Sequence, residues 1–238
     1  AECHLAGIRV VMITGDYPDT ARVIAAQAGM PQGDVLTGDE VQALDDATLQ
    51  RRIQTVNVCA RISPHQKLRI VQALQRNGEI VTMTGDGVND APALRAAHVG
   101  VAMGSRGTDV AREASDLVLV NDDFASIVRG IRTGRRIFTN LQRSMAYIFA
   151  IHIPIAVLAL LPMLFALPAL FLPLHIALLE MIIDPACSLA FENEPESPEC
   201  MTSPPRDTQA PLFGMQAMLE AFGLGLWVLA SARSEERR

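Results

Sequence analysis

Residues 84–92 read Thr-Gly-Asp-Gly-Val-Asn-Asp-Ala-Pro and follow directly on the apolar run Ile80–Met83. Two carboxylates, Asp86 and Asp90, are presented four residues apart with Asn89 beside them. Hard oxygen ligands in that arrangement suit Mg²⁺, which takes a few carboxylates and completes its shell with phosphate and water oxygens. The glycines at 85 and 87 allow a sharp turn, and Pro92 falls where a first helical turn tolerates a missing N–H. A second short motif, Thr14-Gly15-Asp16, also follows an apolar run, Ile8–Ile13. Lys67 is the chain's only lysine beside 19 arginines. Where basic residues are otherwise arginine, a lone lysine points to a site needing a compact ammonium.

These residues need elements to position them. The first 125 residues alternate short apolar runs with helical patterns. Strands are predicted over Ile8–Ile13, Val35–Leu36, Val56–Ala60, Glu79–Met83, Val99–Ala102 and Leu117–Val120. Helices are predicted over Pro18–Ala28, Glu40–Ile53, from Pro64 to about Asn77-Gly78, and over Asp90–Ala97. That alternation indicates an α/β, doubly wound (Rossmannoid) parallel sheet. Such sheets bind ligands beyond the carboxyl ends of their strands, where both Thr-Gly-Asp motifs fall.

The rest of the chain is different. Between Ser144 and Leu179 there is no Asp, Glu, Lys or Arg. As one helix this run would extend about 54 Å against a hydrocarbon core of about 30 Å. Pro168 and Pro173 therefore divide it into two spans, about 141–166 and 172–191, of an all-α transmembrane region covering 144–238. Residues 126–143 form a linker helix, and residues 1–125 the α/β part. Arg129, Arg132, Arg135, Arg136 and Arg143 precede the first span, which places residues 1–143 on the cytoplasmic side. Residues 192–211 are acidic and proline-rich and read as a cytoplasmic loop. A third apolar stretch, 212–231, contains Glu220 and reads as a span or a surface helix. The net charge of −6 and the lack of a basic stripe exclude a nucleic-acid partner. Cys3, Cys59, Cys187 and Cys200 form no metal-binding spacing.

Four motifs in order, Met12–Asp16, Ala60–Lys67, Thr84–Pro92 and Val101–Asp116, resemble the C-terminal part of a P-type cation-transporting ATPase of the calcium-type branch. The resemblance covers about residues 5–200. It implies the second half of a haloacid dehalogenase-like phosphorylation domain, followed by membrane helices of a bacterial plasma-membrane protein surrounded by lipid. It also implies that ATP is the phosphoryl donor and Mg²⁺ the cofactor. In such a pump an aspartate attacks the γ-phosphate and the aspartyl phosphate is later hydrolysed. Thr14, in Thr14-Gly15-Asp16, would donate its hydroxyl and backbone N–H to a phosphoryl oxygen, and Lys67 would supply positive charge. Asn89 would hydrogen-bond phosphate, Asp86 would bind Mg²⁺, and Asp90 would sit in or next to that shell. Ionisable groups at mid-bilayer cost about 2.5–3.5 kcal/mol each, so they mark the transported cation's path. These are His152 in the first span and Glu180 and Asp184 in the second, four residues apart on one face. Calcium is among the candidate cations. The sequence departs from calcium and sodium pumps at Ile155, where they typically carry glutamate, and at His152, where they tend to carry a polar amide.

The family's nucleophile lies in Asp-Lys-Thr-Gly-Thr, which this sequence lacks, together with a nucleotide-binding domain and an actuator's Thr-Gly-Glu. The expectation is a piece of a larger pump whose N-terminal portion supplies them, so that the chain alone forms no phosphoenzyme. A rival reading is a membrane-anchored phosphatase of the same superfamily, although no DxDx(T/V) motif is present. A third is a non-catalytic remnant or accessory protein.

Overall fold

The computed structural model describes residues 2–166, 172–207, 218–220, 222–225 and 227. The chain divides into two compact units, residues 1–130 and 131–238. In the first unit α1 (Glu2–Leu5) leads to β1 (Met12–Ile13), α2 (Pro18–Gln27), β2 (Val35–Thr37), α3 (Gly38–Ala43), α4 (Asp46–Arg52) and β3 (Val58–Ala60). There follow α5 (Pro64–Arg76), β4 (Thr82–Gly85), α6 (Ala91–Ala96), β5 (Val99–Met103), α7 (Asp109–Glu113) and β6 (Leu117–Leu119).

All strand pairs are parallel, in two three-stranded ladders of order β1-β3-β2 and β4-β5-β6. One apolar core serves both: Leu36 and Cys59 from the first ladder and Met83 and Ala102 from the second join Ile70, Leu74 and Leu94 from α5 and α6. Burial there pushes the Cys59 thiol up to about 12. The α/β class of the sequence reading holds, with its single sheet resolved into two hydrogen-bonded ladders. Strand–helix alternation dictates parallel neighbours, but not which edges join.

Several boundaries differ for local reasons. The run Ile8–Ile13 is strand only at 12–13, because β3 begins opposite Met12 at Val58. Upstream, the Arg9 guanidinium reaches the carbonyls of Ile53 and Gln54 instead. The predicted helix Glu40–Ile53 is two helices. Thr37 and Glu40 form a capping box on α3, Leu44 is extended at ψ 141°, and Asp45 restarts the chain by accepting Thr48 N–H at 3.0 Å. Ser/Thr/Asp caps of this kind compete with helix continuation. The strand predicted at 79–83 lies at Thr82–Gly85. Helix α7, capped by Thr108, was not predicted.

The second unit is helical. Helix α8 is Ala125–Leu164, its first six residues belonging to the first unit, with Pro154 and Pro162 inside it. Helix α9 is Pro173–Glu192, with Pro185 inside it. Both are long and apolar enough to cross a membrane, with mean hydropathy 2.2 and 1.6, and little of either apolar window is buried within the protein. An exposed apolar surface of that extent fits a lipid environment. Pro168 lies outside the described residues, as does most of the 212–231 stretch.

Loop residues 194–206 lie along the arginine-rich start of this unit. Arg132, Arg135, Asn140 and Arg143, at spacings of three, five and three residues, fall on one broad face of the helix. Arg135 Nη1 donates to the carbonyls of Cys200 and Ser203, both at 2.8 Å. Arg132 pairs with Glu196 at 3.5 Å and Arg143 with Glu194 at 3.2 Å. The nearly buried Asn140 donates to Glu194 O at 3.0 Å, and Arg206 stacks over Phe138 at 4.1 Å. Arg135→Ala removes bonds from a charged donor, worth about 1.5–3 kcal/mol. Cleavage by a glutamate-specific protease at Glu194–Glu199 is expected to rise at least about tenfold, since about 1.4 kcal/mol is a factor of ten. An unchanged rate would show that the loop is held by other contacts.

Candidate functional site

The four sequence motifs are stitched to one another at the carboxyl ends of β1 and β4. Thr14 follows β1, and its carbonyl accepts Ile62 N–H at 3.0 Å while Asp16 O accepts Arg61 N–H at 2.9 Å. Arg61 takes a left-handed φ of 53° to make this junction, and its guanidinium lies 5.0 Å from the Tyr17 ring centroid. The chain then enters α5. There Ser63 N–H donates to Gln66 Oε1 at 2.9 Å, and the buried Gln66 donates from Nε2 to Gly38 O at 2.8 Å. Lys67, one turn into α5, therefore leaves the helix in a fixed direction.

Lys67 Nζ meets Asp90 Oδ1 at 2.5 Å, with side chains 19% and 8% exposed. The other Asp90 oxygen accepts Gly87 N–H at 3.4 Å. Glycine is required at 85, since a Cβ there would stand 2.6 Å from Asp90 Cβ. Asp86 is different: its side chain is exposed and hydrogen-bonds to no protein group among the described residues, while its backbone carbonyl accepts Thr108 N–H at 2.8 Å. Asn89 is likewise exposed.

The expected roles meet this geometry unevenly. Thr14 N–H is not available to a ligand, because it donates to Cys59 O at 2.9 Å as the ladder continues past β1. The Thr14 hydroxyl donates to Asp16 Oδ2 at 2.9 Å and accepts Asp16 N–H at 3.1 Å, forming a closed turn with Gly15 exposed at its tip. Asp90 has the surroundings of a counter-ion to Lys67, with each oxygen already committed. Among the described residues no three His, Cys, Asp or Glu side chains cluster as a metal cage. Mg²⁺ does not need one, since one or two carboxylates plus phosphate and waters serve it. Asp86 alone fits that description.

The sequence reading passed over Asp122. Its signal was the Asn121-Asp122-Asp123 turn after an apolar run.

In the second unit, His152 and Glu180 come together. His152 Nδ1 lies 2.8 Å from Ile148 O, a carbonyl that can only accept, so this nitrogen carries a proton. Its Nε2 faces Glu180 Oε1 at 3.8 Å. Asp184, one turn beyond, is exposed and makes no side-chain bond among the described residues. His152 and Glu180 remain half-exposed, at 40% and 45%.

The parallel α/β fold, with a lysine–aspartate pair and an exposed aspartate beyond its strand ends, is of haloacid dehalogenase-like type. Residues 1–98 match the family model for haloacid dehalogenase-like hydrolases. Residues 168–232 match that for the C-terminus of cation-transporting ATPases. The probable cation-transporting ATPase F of Mycobacterium bovis is 46% identical over 220 residues, which is 89% of this chain and 24% of that protein. Calcium-transporting ATPase 1 of Bacillus cereus is 42% identical over 214 residues, 89% of this chain and 24% of its own length. The calcium-transporting ATPase of Bacillus subtilis is 41% identical over 233 residues, 94% of this chain and 26% of that one. The chain belongs to the P-type cation-transporting ATPase family. It spans about a quarter of the length of the curated relatives it matches.

Proposed function

We propose that this chain supplies the Mg²⁺- and phosphoryl-binding side of the phosphorylation site, and part of the membrane cation path, of an ATP-driven cation pump. The observation that carries the reading is the division of labour between the aspartates: Asp90 is tied to Lys67, while Asp86 is exposed and uncommitted. Asp86 would hold Mg²⁺, which neutralises phosphoryl charge when bound. Asp90 acts one step back by holding the Lys67 ammonium against the site, where it would meet a phosphoryl oxygen. The Gly15 N–H and Asn89 amide would hydrogen-bond the same group, joined by the Thr14 hydroxyl once its proton turns away from Asp16 Oδ2. Within the membrane, His152, Glu180 and Asp184 would ligate the transported cation, with calcium the first to test given the names of the relatives. The setting would be a bacterial plasma membrane, with residues 1–143 cytoplasmic and lipid around α8 and α9. The phosphatase reading has no use for intramembrane carboxylates or for a C-terminal cation-ATPase region.

The chain contains no Asp-Lys-Thr-Gly-Thr, so with γ-labelled ATP and Mg²⁺ it is expected to gain no acid-stable, hydroxylamine-sensitive label. In lipid nanodiscs it should bind radiolabelled calcium or a competing divalent cation. Glu180→Gln and Asp184→Asn should each weaken that binding about tenfold, equivalent to about 1.4 kcal/mol. Binding indifferent to both substitutions would remove these carboxylates from the cation path.

A further inference from the structure

The loop joining β5 to α7, residues 104–108, is held at both ends, and its outer end is held by a carboxylate with no role above. Asp122 lies just past β6 with φ 51°, in the left-handed region. Aspartate tolerates that region better than most residues, but it is populated where surrounding contacts require it. Its side chain is only 8% exposed. Oδ1 accepts Ser105 N–H at 3.0 Å and Oδ2 accepts Arg106 N–H at 2.9 Å, with Arg106 Nε adding a longer contact at 3.4 Å. Burial pushes this carboxyl up, but the backbone donors of Ser105, Arg106 and Gly104 outweigh it and hold Asp122 below the usual carboxylate range. Asp122 N–H and Gly104 N–H both donate to Leu119 O, at 3.0 and 2.9 Å.

The inner end of the loop is Thr108, whose N–H donates to Asp86 O at 2.8 Å. The segment between has no slack. A Cβ at Gly107 would stand 1.9 Å from Met103 O, and Arg112 Nη1 ties the carbonyls of Gly104 and Gly107 together at 2.7 and 2.6 Å. A shift at Ser105–Arg106 is therefore passed to Thr108 and to the backbone of Asp86.

We propose that Asp122 is a positioning residue for the Asp86 site: it pins the 104–108 loop and thereby sets the direction in which the Asp86 carboxylate meets a divalent cation. This rests on the reading of Asp86 as a Mg²⁺ ligand. Asp122 is not itself a ligand, because both its oxygens accept backbone N–H groups. Asparagine would keep one acceptor but turn an NH₂ toward the other N–H, which cannot accept it. Glutamate would keep the carboxylate, displaced by one methylene.

The test uses the 238-residue chain in lipid nanodiscs with Mn²⁺ as probe. Binding is read by electron paramagnetic resonance of free Mn²⁺ and checked by Mg²⁺ competition. Folding is followed by circular dichroism, and hydrogen exchange is read at Thr108. Asp86→Asn should abolish the Mg²⁺-competed Mn²⁺ binding that is retained in a Glu180→Gln/Asp184→Asn background, which removes the proposed membrane ligands. Asp122→Asn should weaken it about tenfold, as outer-shell partners of metal sites do, and speed exchange at Thr108. Asp122→Glu should recover part of the loss, and Asp123→Asn should match the wild type. If Asp86→Asn abolishes that binding while folded Asp122→Asn keeps both wild-type affinity and slow Thr108 exchange, the positioning role is overturned and the Asp86 reading stands. If Asp86→Asn binds Mn²⁺ normally in that background, the site reading fails and the inference with it. Should Asp122→Asn not fold, the wild type decides. Mn²⁺ saturation must slow exchange at Ser105, Arg106 and Thr108, and no slowing overturns the proposal.

Discussion

Lys67→Met is expected to destabilise the first unit by about 3–5 kcal/mol, the cost of leaving one partner of a nearly buried ion pair without its opposite charge. Methionine keeps most of the apolar stem, so the loss reports the ammonium rather than the packing. Asp90 would keep only Gly87 N–H while its side chain stays 8% exposed. The double variant Lys67→Met/Asp90→Leu should recover most of the loss, because replacing both charges by apolar groups is often neutral. Guanidinium unfolding followed by circular dichroism, with hydrogen exchange across α5 and β4, measures both. A single variant as stable as the wild type would mean that the pair is effectively solvated, and would weaken the case for Asp90 as the holder of Lys67. The contrast with Asp86→Asn sharpens the test. That carboxylate is exposed, so its loss should change stability by less than about 0.5 kcal/mol while abolishing the Mn²⁺ binding that a Glu180→Gln/Asp184→Asn background retains.

Gly107→Ala is expected to cost about 3 kcal/mol, at the upper end of what overpacking does. The atom its Cβ would meet at 1.9 Å is a backbone carbonyl, Met103 O, which no side-chain rotation can move aside. Met103 is itself held, as the last residue of β5 paired with Leu119 of β6. The strain must open the loop, so Thr108 N–H should lose Asp86 O and exchange faster than in the wild type. At Gly15 an added Cβ meets nothing within 4 Å, so Gly15→Ala is the control and should leave stability nearly unchanged. Equal stability of Gly107→Ala and the wild type would show that the loop can relax without cost.

Much of this molecule was legible because its signals are local. The strand-to-helix alternation up to residue 125 dictated a parallel α/β unit, since a parallel neighbour requires a crossover. Pro64 and Asn77-Gly78 bracketed α5 almost to the residue, because proline at the first turn and glycine after the last are backbone preferences carried by single residues. The charge-free run from 144 to 179 marked the apolar helices by composition. Boundaries set by partners were not legible. Ile8–Val11 has the composition of a strand, but β1 can be only as long as the β3 segment opposite it. The 40-residue α8 continues through Gly130, Gly134 and the arginine-rich stretch into the apolar run without interruption.

The sequence by itself determined which residues could do the chemistry: Thr14, Lys67, Asp86, Asn89 and Asp90 in motifs with fixed spacing, and ionisable groups at 152, 180 and 184 within apolar surroundings. Only the tertiary structure separated their parts. Asp86 and Asp90 are alike in type and four residues apart. One faces solvent, while the other is closed in by Lys67 from a helix 23 residues earlier in the chain. Thr14 N–H looked available until β3 took it, and Asp122 had no visible role until its two backbone donors folded over it. The reason is physical. Side-chain chemistry belongs to the residue, but whether a lone pair or an N–H is free depends on what the folded chain brings within about 3 Å of it.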